Sequence, residues 1–421
     1  IGGTFSKPEI KLDTKEMINN AVKTAVNSQL TKLTGKDKEE RIAALREQAD
    51  AAGKKLVETA EKEGQKLIDK AQKPLEKIGA KTAAAALVKE AQKQAEAAGA
   101  ESSAGDADYT QGDPIVIKIA HVSQEGVPID LASNKLGEML KEKTGGRITV
   151  DVFPASALGN NTELLEQLQM GTLEMAISSV AFLGAFTDST ALLDLPYLFQ
   201  SNEAAEEVLD GEVGQEIFSN LEPAGFKGMT WMATGWRQLT ANKEIHKPED
   251  MKGLKIRVME NQMHIDHFNA LGASAVPMAF SELYTALQNG TMDAQENPFA
   301  NIDGNRLYEV QKYIIKTGHI YDTSPLLASK TWWDSLSAAD QKVIQECVDE
   351  MIVYERELSA SNEAELEEKI GNNGTNVIIT LTDEERQAFR DAAKPVYDKY
   401  VPGIGEDLVN KVDEINAKYM K

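Results

Sequence analysis

Lys252-Gly253-Leu254-Lys255-Ile256-Arg257-Val258 reads as a short strand entered from a glycine, over Gly253 to Val258. A helical pattern follows from Gln262 to Leu271, and a second from Ser281 to Gly290. The same alternation recurs on the N-terminal side. Ile115 to Val122 reads as a strand that ends in a loop at Ser123 to Pro128, with a helix to Lys143. Arg147 to Phe153 is the next strand, Asn161 to Met170 a helix, and Leu173 to Ser178 a third strand. Gly228 to Ala233 is a further short strand, and long helices begin at Ser337. Strands separated by helices predict an α/β fold with mainly parallel sheets, in which ligands sit at the carboxyl ends of the strands.

The chain has 421 residues, enough for two or three domains, and a formal charge of -22. That charge is uneven. Residues 1–112 carry 19 basic and 18 acidic side chains, a net of +1, and residues 113–421 carry 26 and 49, a net of -23. Such acidity argues against nucleic acid and against an anionic membrane face, both of which need basic residues. A single cysteine, Cys347, excludes an intrachain disulfide and reads as a packing residue on a helix. The uncharged run Met175 to Thr187 comes apart at Asp188, too short to span a bilayer. No basic-then-apolar leader opens the chain, which predicts a cytosolic protein or a mature, processed secreted one.

The seam between the two parts is Ala98 to Asp108, small, polar and aperiodic like a flexible linker. Ahead of it Leu45, Leu56, Leu67 and Ile78 recur every 11 residues, as do Ala49, Ala60 and Ala71. A period of 11 holds a stripe on one helix face with a slow right-handed drift. Gly53 and Gly64 weaken that helix and Pro74 divides or kinks it. A stripe this narrow builds no core alone, so a helical hairpin or spacer is the expectation. With the opening strand Gly3 to Asp13, this part faintly resembles the tail of AsmA-like bacterial envelope proteins, which assigns it no function.

Catalytic motifs are not evident: there is no Gly-x-Ser-x-Gly elbow and no glycine-rich phosphate loop before a lysine. His264 and His267 are three residues apart on the expected helix, a spacing that chelates metal only if other ligands converge, and a solvated face is the expectation. No metal or cofactor is expected. The stronger signal is a pair of arginines at strand ends in an acidic chain. Arg237 follows Ala233-Thr234-Gly235-Trp236, and Arg257 closes the strand that opened this reading. A guanidinium fork matches a carboxylate or sulfonate, although either arginine equally suits a local Asp or Glu.

Taken in order, the 252–258 stretch, Leu271-Gly272-Ala273, Val276-Pro277-Met278-Ala279-Phe280-Ser281-Glu282-Leu283-Tyr284-Thr285-Ala286-Leu287-Gln288 and Asp293-Ala294-Gln295-Glu296-Asn297-Pro298 resemble the signature of the DctP-type solute-binding proteins of TRAP transporters. Lys118-Ile119-Ala120-His121-Val122, Thr144-Gly145-Gly146-Arg147-Ile148, Leu192 to Phe199 and Tyr308 to Tyr313 extend the likeness from about residue 113 to the C-terminus. The resemblance implies a bilobed periplasmic-binding-protein fold with a long helix spanning both lobes. One lobe would be 113–234 with 323–362, the other 235–322 with 363–421. It implies a periplasmic monomer, without enzyme activity, that closes on a small organic acid anion (a C4-dicarboxylate, a sugar acid or a short sulfonate). The loaded protein would hand the anion to a membrane permease driven by an ion gradient. A sensing or tethering protein, with residues 1–112 binding a partner, is the alternative.

By the same resemblance, Arg257 forks the substrate carboxylate and Arg237 holds the same anionic end or a neighbouring hydroxyl. Asn297 orients that end, and Phe280 supplies an apolar wall. Asn161 and Ser179 reach the far end of the ligand. Sialic-acid binders carry a carboxylate at the Ser179 position and an arginine at the Phe182 position, so sialic acid is disfavoured here. His121 and Gln124 sit on the first strand-to-loop turn, Trp236 beside Arg237 stacks on the ligand or fills the wall, and Glu260 pairs with a cation or hydroxyl.

Overall fold

The apolar run after the seam forms β1 (Ile115–His121), and the chain then turns into helix α1 (Pro128–Lys143). Pro128 opens α1 where no backbone donor is missed, and Lys141 and Lys143 close it at the negative end of its dipole. Ile117, Ile119, Leu136 and Leu140 are fully buried in the cluster the two elements share. The computed structural model describes residues 108–420. The 11-residue repeat, the opening strand and most of the seam lie outside the described residues.

The strands that follow are β2 (Ile148–Phe153), β3 (Met175–Ile177), β4 (Phe226–Trp236), β5 (Gln238–Ala241) and β6 (Lys255–Val258). After these come β7 (Ser274–Pro277), β8 (Ala294–Asn297), β9 (Tyr313–Lys316), β10 (Tyr321–Ser329) and β11 (Val377–Thr380). They make two sheets, ordered β2-β1-β3-β10-β4 and β11-β9-β5-β8-β6-β7. The α/β class holds, but the sheets are mixed. β1 pairs in parallel with β2 and β3, and β6 with β7 and β8, whereas β10 runs antiparallel to β3 and β4, and β5 to β8 and β9. The cause is topological: parallel neighbours need a crossover helix, and the chain passes between the sheets without one.

Two such passages lie side by side. Arg237 alone separates β4 from β5, and Thr317 to Ile320 separate β9 from β10. The Arg237 N–H donates to the Ile320 carbonyl at 2.9 Å and ties the passages together. Gly235, at φ +110°, permits a backbone turn there that other residues rarely adopt.

Helix α2 (Asn161–Met170) is bounded by a capping box, in which Asn160 accepts from the Glu163 N–H and Glu163 accepts from that of Asn160. Helix α3 (Gln262–Ala270) follows β6, its first N–H groups capped by Asn261. The long helix α4 (Ala338–Gly371) packs on α1 and β4 and also contacts β11 and the helix Phe299–Gly304, so it touches both sheets. The helix Lys394–Ile404 packs on α3, and Glu406–Tyr419 packs on Asn202–Asp210. No described helix is long and apolar enough to cross a membrane.

Candidate functional site

β6 carries Arg257 into the interior, where it is 1% exposed. Its Nε donates to the Met278 carbonyl at 2.9 Å, its guanidinium lies 5.8 Å from the centre of the Phe280 ring, and its Nη1 is buried without a hydrogen-bond partner. Among the described residues no carboxylate forms an ion pair with it. Burial without a paired anion brings its pKa down to about 10, with Glu296 and Glu260 partly opposing the shift and Arg237 adding to it. A guanidinium in this state is costly, and an incoming anion relieves the cost.

Arg237 is just as buried but fully engaged. Its Nε pairs with Glu296 Oε2 and its Nη1 with Asp322 Oδ2, while Nη2 donates to the Glu296 carbonyl at 2.7 Å and to Oε1 at 2.8 Å. Burial alone would lower its pKa; the charges of Glu296 and Asp322 outweigh burial and raise it. Glu296 is held well below the carboxylate range, its own burial overcome by Arg237 and by His319, whose Nε2 lies 3.0 Å from Glu296 Oε2. Asp322 also accepts from Ser179 Oγ at 2.8 Å, and burial pushes its carboxyl up against the pull of Arg237.

Both arginines face one cleft containing about 430 Å³ of space, part of it open to solvent. His121, Asn161, Ser179, Arg237, Arg257, Phe280 and Asn297 line it together. Asn161 accepts from Ser178 Oγ at 3.0 Å, and Asn297 donates to Gln295 Oε1 at 2.6 Å while accepting from Asn301. His121 lies 3.5 Å from Asp130, and neither of its ring nitrogens has a hydrogen bond.

Three expected residues lie off this cleft. Gln124 lines a neighbouring hollow and donates to Asn305 at 3.0 Å. Trp236 donates from its indole to Asn202 at 2.7 Å and packs edge-on against Tyr321, filling the wall where the strands cross. Glu260 is exposed beyond the end of β6.

Other cleft residues escaped the sequence reading, among them Asp322, Thr234, Ser324 and Met259. Glu296 stood inside a quoted motif, but nothing in its spacing marked it as the partner of an arginine 59 residues away.

His264 and His267 do not form the solvated face expected of them. Both are 1% exposed: His264 lies 3.0 Å from Asp194, and His267 stacks on His319 with ring centres 5.8 Å apart. Burial, reinforced by His319 and His264, lowers the His267 pKa well below its usual value. Among the described residues no group of three or more His, Cys, Asp or Glu is placed to hold a metal.

Known proteins share this fold. A C4-dicarboxylate-binding periplasmic protein of Rhodobacter capsulatus is 33% identical over 307 residues, covering 73% of this chain and 92% of that protein. A TRAP periplasmic solute-binding protein from Shewanella oneidensis, solved with succinate, superposes with a TM-score of 0.71 at 32% identity, covering 72% of this chain and 99% of that one. A sugar-acid-binding protein from Advenella mimigardefordensis, solved with galactonate, gives a TM-score of 0.71 at 30% identity over 74% of this chain and all of that one. The DctP family model matches residues 119–402, and the chain belongs to the bacterial extracellular solute-binding proteins of family 7, which serve transporters and are not enzymes.

Proposed function

We propose that this protein captures a small organic acid anion outside the cytoplasm and delivers it to the permease of a TRAP transporter. One observation carries the reading: Arg257, buried to 1% exposure, has an unpartnered Nη1 facing a cleft otherwise lined by neutral groups and by paired charges. An anion placed there receives a charge-assisted hydrogen bond from a buried nitrogen, where such bonds are strong. Phe280 closes one side, and Asn297 offers a donor and an acceptor to the same end of the ligand.

In this reading the two sheets belong to two lobes. They close by bending at the paired passages near Arg237 and Ile320, with α4 bridging them. Ion pairs that reach across the passages would favour the closed form. The relatives bind dicarboxylates in some cases and sugar acids in others, so the anion class is transferred while the individual ligand is not.

A thermal-shift panel of organic acids tests the proposal. A ligand at 100 times its dissociation constant stabilises the protein by about 2.7 kcal/mol, a rise of several degrees. At least one small carboxylate or sulfonate is expected to raise the transition. No shift from any acid in a broad panel contradicts the reading.

A further inference from the structure

We infer that the cleft is built for a monocarboxylate bearing hydroxyls along its chain and discriminates against a dicarboxylate of the same length. The inference rests on the organic-acid reading and narrows it. The cations that line the cleft are Arg257 and Arg237, and Arg237 is paired with Glu296 and with Asp322, an acid of the same lining. Arg237 spends four hydrogen bonds on Glu296 and Asp322, nearly the whole donor set of a guanidinium. Of the two cleft arginines, Arg257 is the one that retains a buried, unpartnered donor. One ligand carboxylate therefore finds a free cation and a second finds none.

The surroundings beyond Arg257 are those a hydroxylated chain requires. Asp322 accepts from Ser179 and Arg237 on its two oxygens, and it has lone pairs left for a ligand hydroxyl. A second ligand carboxylate would meet the Asp322 oxygens, which already accept two hydrogen bonds, instead of a donor. Thr234 and Ser324 hydrogen-bond to each other at 2.8 Å and line the same space, so each has capacity for a further hydroxyl. His121 offers its Nδ1, which has no hydrogen bond, while its Nε2 faces Asp130 at 3.5 Å. Hydroxyls both donate and accept, which suits this mixture, whereas a carboxylate only accepts.

Calorimetric titration of the full chain, dialysed free of ligand, with pairs of equal carbon count tests the inference. The pairs are D-erythronate against succinate, and D-gluconate against adipate. At least one hydroxy acid is expected to bind on the order of tenfold or more tighter than its paired diacid. A diacid that binds as tightly or more tightly in every pair that binds overturns the inference and leaves the organic-acid reading standing. Binding of neither pair, while another anion such as isethionate raises the unfolding transition, does the same. Binding of neither pair with no shift from any acid overturns both.

The Asp322→Asn variant is expected to bring hydroxy acid and diacid toward equal affinity. Ser179→Ala, which leaves the ion pairs in place, is expected to weaken the hydroxy acid several-fold and the diacid little. An unchanged preference in both variants overturns the role assigned to this end of the cleft.

Discussion

Arg237 and Arg257 are equally hidden from water and face the same cleft, yet their surroundings make them opposites. Around Arg237, two carboxylates and a backbone carbonyl consume the guanidinium, and its charge is a structural tie between the β4–β5 passage, β8 and β10. Around Arg257 there is a single backbone carbonyl and an aromatic ring, and part of the fork is left over. Burial of an arginine therefore says little about binding. In the proposed function, what marks the recognition site is a buried charge with no counter-charge among the described residues.

The largest effect should come from breaking the saturated side. Arg237→Ala strands Glu296 and Asp322 in the interior, and loss of about 3–5 kcal/mol of unfolding free energy is expected by denaturant titration. A loss below about 1 kcal/mol would show that Arg237 is not the tie described here.

A smaller effect concerns a buried acid on α4 next to the passages. Glu355 accepts from the Ala233 N–H at 3.0 Å and from Ser359 Oγ at 2.9 Å, and burial raises its pKa from 4.5 to about 7 despite those bonds. Its folded form holds the proton more tightly than its unfolded form. The stability it contributes is thus greatest below pH 4.5 and is lost as pH rises through about 7. Glu355→Gln should remove that slope, worth roughly 3 kcal/mol as an upper bound. Parallel pH-stability curves for the variant and the parent would refute it.

Ser179→Ala is the mildest of the three for folding. It removes the hydrogen bond to Asp322 and the acceptor that caps the Ala181 N–H, and a stability loss of about 1–2 kcal/mol is expected from thermal unfolding without ligand. A loss as large as that of Arg237→Ala would mean that Asp322 depends on Ser179 more than on the guanidinium.

Local signals were enough for much of the architecture. α2 was readable to the residue, because Asn160 and Glu163 cap it and a glycine in the left-handed region ends it. The strand Lys255–Val258 and the two helices after it were visible from their apolar patterns, although the second begins as a short 3-10 turn at Phe280.

Strands around the cleft were harder to see. β5 and β8 bury Gln238, Thr240, Gln295, Glu296 and Asn297, so their polarity hides them from a search for apolar runs. β10 is buried along its whole length and contains Pro325, a residue that ordinarily argues against a central strand. Its pairing with β4 is irregular between Leu326 and Leu327 and again between Asp322 and Thr323.

The candidate site divides in the same way. Arg257 stood out at a strand end, Asn297, Phe280, Asn161 and Ser179 followed from the family resemblance, and all five line the cleft. Which arginine was free was not legible, because the partners of Arg237 come from 59 and 85 residues along the chain. His264 and His267 were misjudged for the same reason: their burial depends on Asp194 and His319, which are distant in sequence.

The most direct test of the account is calorimetric titration of Arg257→Ala with whichever acid raises the unfolding transition of the parent chain. Affinity should fall by about a hundredfold or more, as expected when one partner of a buried, hydrogen-bonded charge pair is truncated. The ligand-free variant should unfold cooperatively and at least within about 1 kcal/mol of the parent, since no internal ion pair is broken. Unchanged affinity in a folded Arg257→Ala protein would contradict the claim that this unpaired guanidinium is the anion site.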